Sequence, residues 1–269
     1  MSPSLTELRR RHIAEGRPLD LATERSLRSD PRTGAQSILQ AVLRRRSEAR
    51  SEGQRLRKML RYELALWSAG IMNVAGVDEA GMSPLAGPVA AGAVVFRPGV
   101  RITGVDDSKK LDPLTRERLS DEIRQQALAW SVGFVEVEEI DRINIYHASL
   151  LAMRRAIEGL SCAPQYLLID GRRIKHLPTP QQAIIGGDGK CFAIAAASIL
   201  AKTARDALMS RFDGEYPGYG FAKHKGYPVR DHLSALHRLG ACPIHRRSFA
   251  PVRTAMGLPP LPPWPNAGD

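Results

Sequence analysis

From Asn73 onward, short apolar runs rich in β-branched residues alternate with amphipathic stretches, and that alternation restricts the chain to a sheet with helices packed on it. Asn73–Glu79 and Val89–Phe96 read as strands, the second introduced by Gly87-Pro88; Trp130–Val137, Tyr166–Asp170 and Ala183–Ile185 follow. Pro113 in a first helical turn, with Asp112 as its N-cap, predicts a helix running to Leu128. Further helices are expected from about Glu139 to Gly159, over Lys190–Phe212, and over Pro228–Leu239, the last closed by Gly240. The order is that of an α/β protein with a mixed sheet flanked by helices.

Charge divides the chain differently. Its 269 residues carry a formal net charge of +11 and a pI near 10.0, which points to a polyanionic partner. Residues 1–70 hold 15 Lys+Arg against 8 Asp+Glu, so most of the excess lies ahead of the alternating region. Within them Gly34–Trp67 reads as one or two helices. Either its apolar stripe packs and its arginines are merely solvated, or it is a basic arm for nucleic-acid phosphates. The expected organisation is a basic helical extension over 1–70, a main domain over 71–252, and a proline-rich, extended or disordered tail over 253–269.

Several classes are excluded by composition. The longest strongly apolar stretch, Cys191–Ala201, is too short to span a bilayer, which takes about 20 residues. The first dozen residues are charged and lack an apolar segment, so no secretory signal is expected. Cys162, Cys191 and Cys242 are odd in number and widely spaced, as suits reduced thiols in a cytoplasmic protein better than disulfides or a zinc site.

The candidate chemistry lies in acidic residues at strand ends. Asp78 and Glu79 close the first strand before Ala80-Gly81, where a sharp turn would let both carboxylates approach one point. Asp170 ends another strand just before Gly171, and Asp188 lies in the turn Gly186-Gly187-Asp188-Gly189. Any one of these alone is as readily a helix cap or turn former. Together, without a histidine or cysteine cluster, they suit a hard divalent cation, Mg2+ or Mn2+, bound through oxygen.

Eight ordered blocks carry a resemblance. Gly76-Val77-Asp78-Glu79-Ala80-Gly81, Pro84-Leu85-Ala86-Gly87-Pro88-Val89, Asp107-Ser108-Lys109-Lys110-Leu111, Leu168-Ile169-Asp170-Gly171, Gly187-Asp188, Ala197-Ser198-Ile199-Leu200-Ala201-Lys202 with Arg205-Asp206, His224-Lys225-Gly226-Tyr227 and Pro243-Ile244-His245-Arg246 resemble the signature of bacterial ribonuclease HII, a type 2 RNase H. The resemblance covers about residues 71–250, and not 1–70 or the tail. It implies a ribonuclease H fold with a mixed five-stranded sheet. It also implies hydrolysis 5′ to ribonucleotides in RNA/DNA hybrids or embedded in duplex DNA, leaving 3′-hydroxyl and 5′-phosphate ends, by a monomer.

The resemblance maps the catalytic and metal positions onto Asp78, Glu79, Asp170 and Asp188. Two cations about 3.5–4 Å apart would activate water and relieve charge on the phosphorus, with Asp78 bridging them. Gly81, Met82 and Ser83 correspond to the loop that grips the ribonucleotide, and Lys109, Ser198 and Lys202 to phosphate contacts. Lys109 alone would read as a solvated loop lysine, and Ser198 and Lys202 as capping or packing groups on one helix face. Tyr227 corresponds to the tyrosine that stacks on the sugar at the RNA-to-DNA step. Asp206 reads as an ion-pair partner; His224, His245 and Arg246 stay ambiguous. The chain departs from the family where Gly-Arg-Gly is usual: Met82 removes a cation, and Ser83 matters if that position needs a positive φ. Gly186 stands where lysine is common. These departures leave a non-catalytic nucleic-acid-binding relative as the alternative.

Overall fold

The structure is a computed structural model that describes residues 4–262; the proline-rich segment 263–269 lies outside them. The chain forms two compact units, Met1–Lys58 and Met59–Asp269.

The first unit is helical. It contains α1 (Leu5–Arg9), a π-helical turn (Arg10–Ala14), α2 (Leu21–Ser29) and most of α3 (Thr33–Met59). Asp20 caps α2 by accepting the Thr23 N–H at 2.8 Å. Leu8, Leu19, Leu27, Ile38, Leu39 and Val42 form its core. Arg45 donates to His12 O at 3.0 Å and Arg46 to Leu19 O at 2.7 Å, so part of the basic run is structural. The predicted helical stretch Gly34–Trp67 is two helices, because α3 stops at Met59 and α4 runs over Arg61–Ser68.

The second unit is built on β1 (Val74–Ala80), β2 (Val89–Val95), β3 (Ala129–Val135), β4 (Tyr166–Asp170) and β5 (Gln181–Ile184). They form one mixed sheet in the order β3-β2-β1-β4-β5. The β1–β2 and β2–β3 pairs are antiparallel, while β1–β4 and β4–β5 are parallel. The helices are α5 (Pro113–Gln126), α6 (Val137–Glu158), α7 (Phe192–Glu215), α8 (Phe221–His224), α9 (Arg230–Leu239) and α10 (Ala250–Ala255). Asp112 caps α5 as predicted, accepting from Thr115 N at 3.0 Å. Residues 253–255, grouped above with the tail, belong to α10, whose first turn carries Pro251 where proline is tolerated.

Period-two alternation sorts the strands onto two faces. Ala75, Val77, Ala91, Ala93 and Val95 pack against Ala148, Ala152, Met153 and Ala156 of α6. The other face receives α7 at backbone contact. A Cβ at Gly76 would lie 2.1 Å from the Ala193 carbonyl carbon, and one at Gly92 would lie 2.2 Å from Ala197 O. Only glycine under an alanine-rich helix allows that approach. Glu63 of α4, 2% exposed, holds the start of α7: it accepts the Ala193 N–H at 2.7 Å and the Cys191 thiol at 3.2 Å. Burial raises its pKa above the usual carboxylate value.

Two substitutions test this packing by denaturant midpoint. Gly76→Ala should destabilise by about 1–3 kcal/mol or more, since a methyl has no room there. Glu63→Ala should cost about 1–3 kcal/mol by leaving a buried N–H of α7 unpaired. Wild-type midpoints in both would refute the packing.

Candidate active site

The acidic residues collect at one end of the central strands. β1 keeps its ladder through Ala80, with Asp78 opposite Gly92 and Glu79 opposite Ala91, so the turn expected after Glu79 comes one residue later. Asp78 therefore leaves the sheet on the α7 face, 3% exposed, and Glu79 leaves on the other. Asp170 ends β4 beside them. Asp188 lies in a 3₁₀ turn, Gly187–Gly189, immediately before α7.

Burial and mutual repulsion dominate the electrostatics. Desolvation raises the Asp78 pKa well above the carboxylate range, and Glu79, Asp170 and Asp188 push it further. The Ser198 hydroxyl, hydrogen-bonded to Asp78, acts in the opposite direction. Glu79 is raised by desolvation and then by Asp170, against the pull of Arg172 and Lys109. Asp170 is raised by desolvation despite accepting the Gly187 N–H at 2.6 Å. Asp188 accepts Lys109 Nζ at 3.2 Å and the Gly189 N–H at 2.9 Å.

Among the described residues no three acidic, histidine or cysteine side chains already converge into a cation cage. The chemistry of the donor set nevertheless fits a hard divalent cation. Every donor is a carboxylate oxygen, and the burial and mutual repulsion that raise three of their pKa values are what a positive ion would offset.

The remaining residues predicted from sequence divide by environment. Ser198 is 3% exposed and lies 2.9 Å from Ser108 Oγ; with its proton given to Asp78, Ser108 is the donor between them. Lys202 pairs with Asp206 at 2.7 Å and lies 5.5 Å above the Tyr227 ring. Asp206 is an ion-pair partner as expected, bonding Arg116 at 3.2 Å as well. Gly81 takes φ +95° and is buried, Met82 is half-buried, and Ser83 is exposed with no positive φ, so serine is compatible with this backbone. Gly186 takes φ +63°, a conformation that disfavours the lysine common there.

Sequence reasoning missed what holds the loop between β1 and β2. Arg205 and Arg246 are 1% and 0% exposed, yet they donate only to backbone carbonyls. Arg246 reaches Gly81 O at 2.7 Å, Gly87 O at 2.9 Å, Met82 O at 3.1 Å and Pro88 O at 3.2 Å. Arg205 reaches Pro88 O at 2.9 Å, and Ala86 O and Lys225 O at 3.0 Å. A Cβ on Gly81 would meet Arg205 Nε at 2.3 Å. No spacing rule reveals such partners; the only signal was the resemblance at Arg205 and Arg246.

Two sequence-family models match the chain: Ribonuclease HII over residues 75–252, and the Ribonuclease HII N-terminal domain over 18–67. It is 56% identical to the Ribonuclease HII of Anaeromyxobacter sp. (strain Fw109-5), over 96% of this chain and 82% of that protein. It is 54% identical to that of Myxococcus xanthus (strain DK1622), over 95% and 88%. Among solved structures, ribonuclease H2 from Pyrococcus horikoshii OT3 superposes with a TM-score of 0.61 at 27% identity, covering 69% of this chain and 98% of that one. The Mn2+ complex of Bst-RNase HIII shares the fold, with a TM-score of 0.55 at 18% identity over 72% of each chain.

Two buried histidines support the Tyr227 segment. His245 Nδ1 accepts the Cys242 N–H at 3.0 Å, which leaves its Nε2–H for His232 Nε2 at 3.1 Å; His232 Nδ1–H then donates to Tyr227 O at 2.9 Å. The first two links, accepted by His245 Nδ1 and His232 Nε2, require neutral rings. Burial, followed by His232, lowers the His245 pKa to about 4, and burial lowers that of His232. An unfolded histidine titrates near 6.5. Between these values the unfolded histidines bind protons that the folded ones refuse, so the contribution of His232 and His245 to stability falls as the pH drops from about 6.5 towards about 4, opposite in sign to that of the buried carboxylates. Denaturant midpoints from pH 7.5 to 4.5 should show wild type losing stability relative to His245→Asn as the pH falls, the two slopes differing by up to about 1.4 kcal/mol per pH unit. An unchanged slope in the variant would refute the neutral chain.

Proposed function

Since the chain belongs to the ribonuclease HII family, whose members are metal-dependent endoribonucleases of the ribonuclease H fold, we propose that it hydrolyses the phosphodiester 5′ to ribonucleotides in RNA/DNA hybrids or embedded in duplex DNA. The products are 3′-hydroxyl and 5′-phosphate ends. The observation that carries this reading is the set of four acidic residues at the sheet end, three of them raised in pKa by burial and by one another.

Asp78, Glu79, Asp170 and Asp188 would hold Mg2+ or Mn2+. Bound there, the ions supply an acidified water and charge relief at phosphorus and at the leaving 3′-oxygen. The chain supplies the positioning. Ser198, backed by Ser108, orients Asp78, and the Gly187 N–H orients Asp170. Lys109, exposed and paired with Asp188, would meet a backbone phosphate. Lys202, 5.5 Å from the Tyr227 ring and paired with Asp206, and Tyr227 itself would offer a cation and a ring face to the strand and its sugar.

The first unit is proposed as an auxiliary phosphate-binding arm. Arg10, Arg11, Arg28, Arg32 and Arg46 pair with acids of that unit, whereas Arg9, Arg25, Arg50, Arg57 and Lys58 form no ion pair among the described residues.

A duplex carrying one ribonucleotide, incubated with the protein and Mg2+ or Mn2+, should be nicked 5′ to that residue. Asp170→Asn should reduce the rate by at least about 10³-fold while the protein stays folded. Absence of cleavage of this duplex and of a full hybrid would contradict the reading. Removing residues 1–58, which leaves Glu63 in place, should weaken duplex binding and lower the slope of log affinity against log salt. An unchanged slope would refute the arm.

A further inference from the structure

The Gly81-Met82-Ser83 loop lacks the arginine usual at its centre, yet it is fixed from beneath. Arg246 is wholly buried and sends its fork to the Gly81 and Met82 carbonyls. No carboxylate among the described residues hydrogen-bonds it. Asp141, the acid whose charge acts on it, is engaged by the Arg247 and Ser248 N–H groups at 2.9 and 2.8 Å. A buried guanidinium without such a partner is costly, so its four carbonyl contacts mark a constraint beyond simple packing.

The constraint acts on direction. With the carbonyls of residues 81 and 82 turned inward, the N–H groups of Met82 and Ser83 have no hydrogen-bond partner among the described residues. They are donors left for a ligand. The guanidinium beneath also gives the loop the positive field that Met82 does not provide. Arg205 acts further along, on the carbonyls of Ala86, Pro88 and Lys225, and makes no bond to those of residues 81 or 82.

We propose that Arg246 is a specificity-determining positioning residue: it fixes the loop so that the Met82 and Ser83 N–H groups select a ribonucleotide, without touching the carboxylates or the substrate itself. This rests on the proposed ribonucleotide-directed cleavage. Lysine at 246 keeps the charge but cannot span four carbonyls.

The test compares the wild-type chain with Arg246→Lys and Arg205→Lys on two substrates, a duplex with one ribonucleotide and a longer RNA/DNA hybrid. Arg246→Lys should lower kcat/KM on the single ribonucleotide by about 10²-fold, mainly through KM, and on the hybrid by less than about 10-fold. Arg205→Lys should leave the ratio between substrates near that of wild type. Equal losses on both substrates, or none, would overturn the proposal. Hydrogen exchange on the wild-type protein in Ca2+ gives a second reading that needs no variant to fold. The Met82 and Ser83 amides should be protected by the ribonucleotide duplex and not by an all-DNA duplex of the same sequence. Equal protection by both, or by neither, would also overturn it. Failure to cleave either substrate would refute the cleavage reading alone, since amide protection is read without turnover.

Discussion

Helix α7 touches β1 and β2 with nothing between the two backbones at Gly76 and Gly92, and the site follows from that contact. Gly92 lies directly opposite Asp78, so the glycine that admits the helix also brings Ser198 against that carboxylate. The same helix begins just after the turn that carries Asp188, and its first residues are held by Glu63. One helix therefore sets Asp78, Asp188, Ser198 and Lys202 relative to each other. Side chains of ordinary size in the two strands would lift α7 off the sheet and separate them.

Around this contact the protein keeps like charges together in two places. Carboxylates gather at the sheet end, where burial and repulsion raise their pKa values. Two guanidiniums gather under the neighbouring loop, where burial, then the Arg205 charge, drives the Arg246 pKa well down. Neither cluster is what stability alone would select. The carboxylates suit cations, while the guanidiniums are matched by the loop carbonyls they hold.

Much of this was legible in the sequence, and what was not has physical reasons. Tyr166–Asp170 was read to the residue because an apolar run there ends abruptly at an acid and a glycine. The Asp112 cap was local and therefore visible. Helices α1 and α2 were expected only as part of a helical extension over 1–70 and not individually, since short polar segments lack a strong periodic signal. Glu63 and Ala193 are 130 positions apart, and Arg246 and Gly81 are 165 apart, so no local pattern reports either pair. The concern over Ser83 was a question of backbone angle, which composition cannot answer and the loop geometry does.

The central claim is that the carboxylates at the sheet end are a cation site under electrostatic tension. The most direct measurement is the thermal midpoint of the full chain, wild type and Asp78→Asn, with and without Mn2+ and in the absence of nucleic acid. Mn2+ should raise the midpoint of the wild type, because bound cations relieve the repulsion. Asp78→Asn should be at least as stable as wild type without metal and gain little from Mn2+. A wild-type midpoint indifferent to Mn2+, or a variant that responds as strongly as wild type, would contradict the claim.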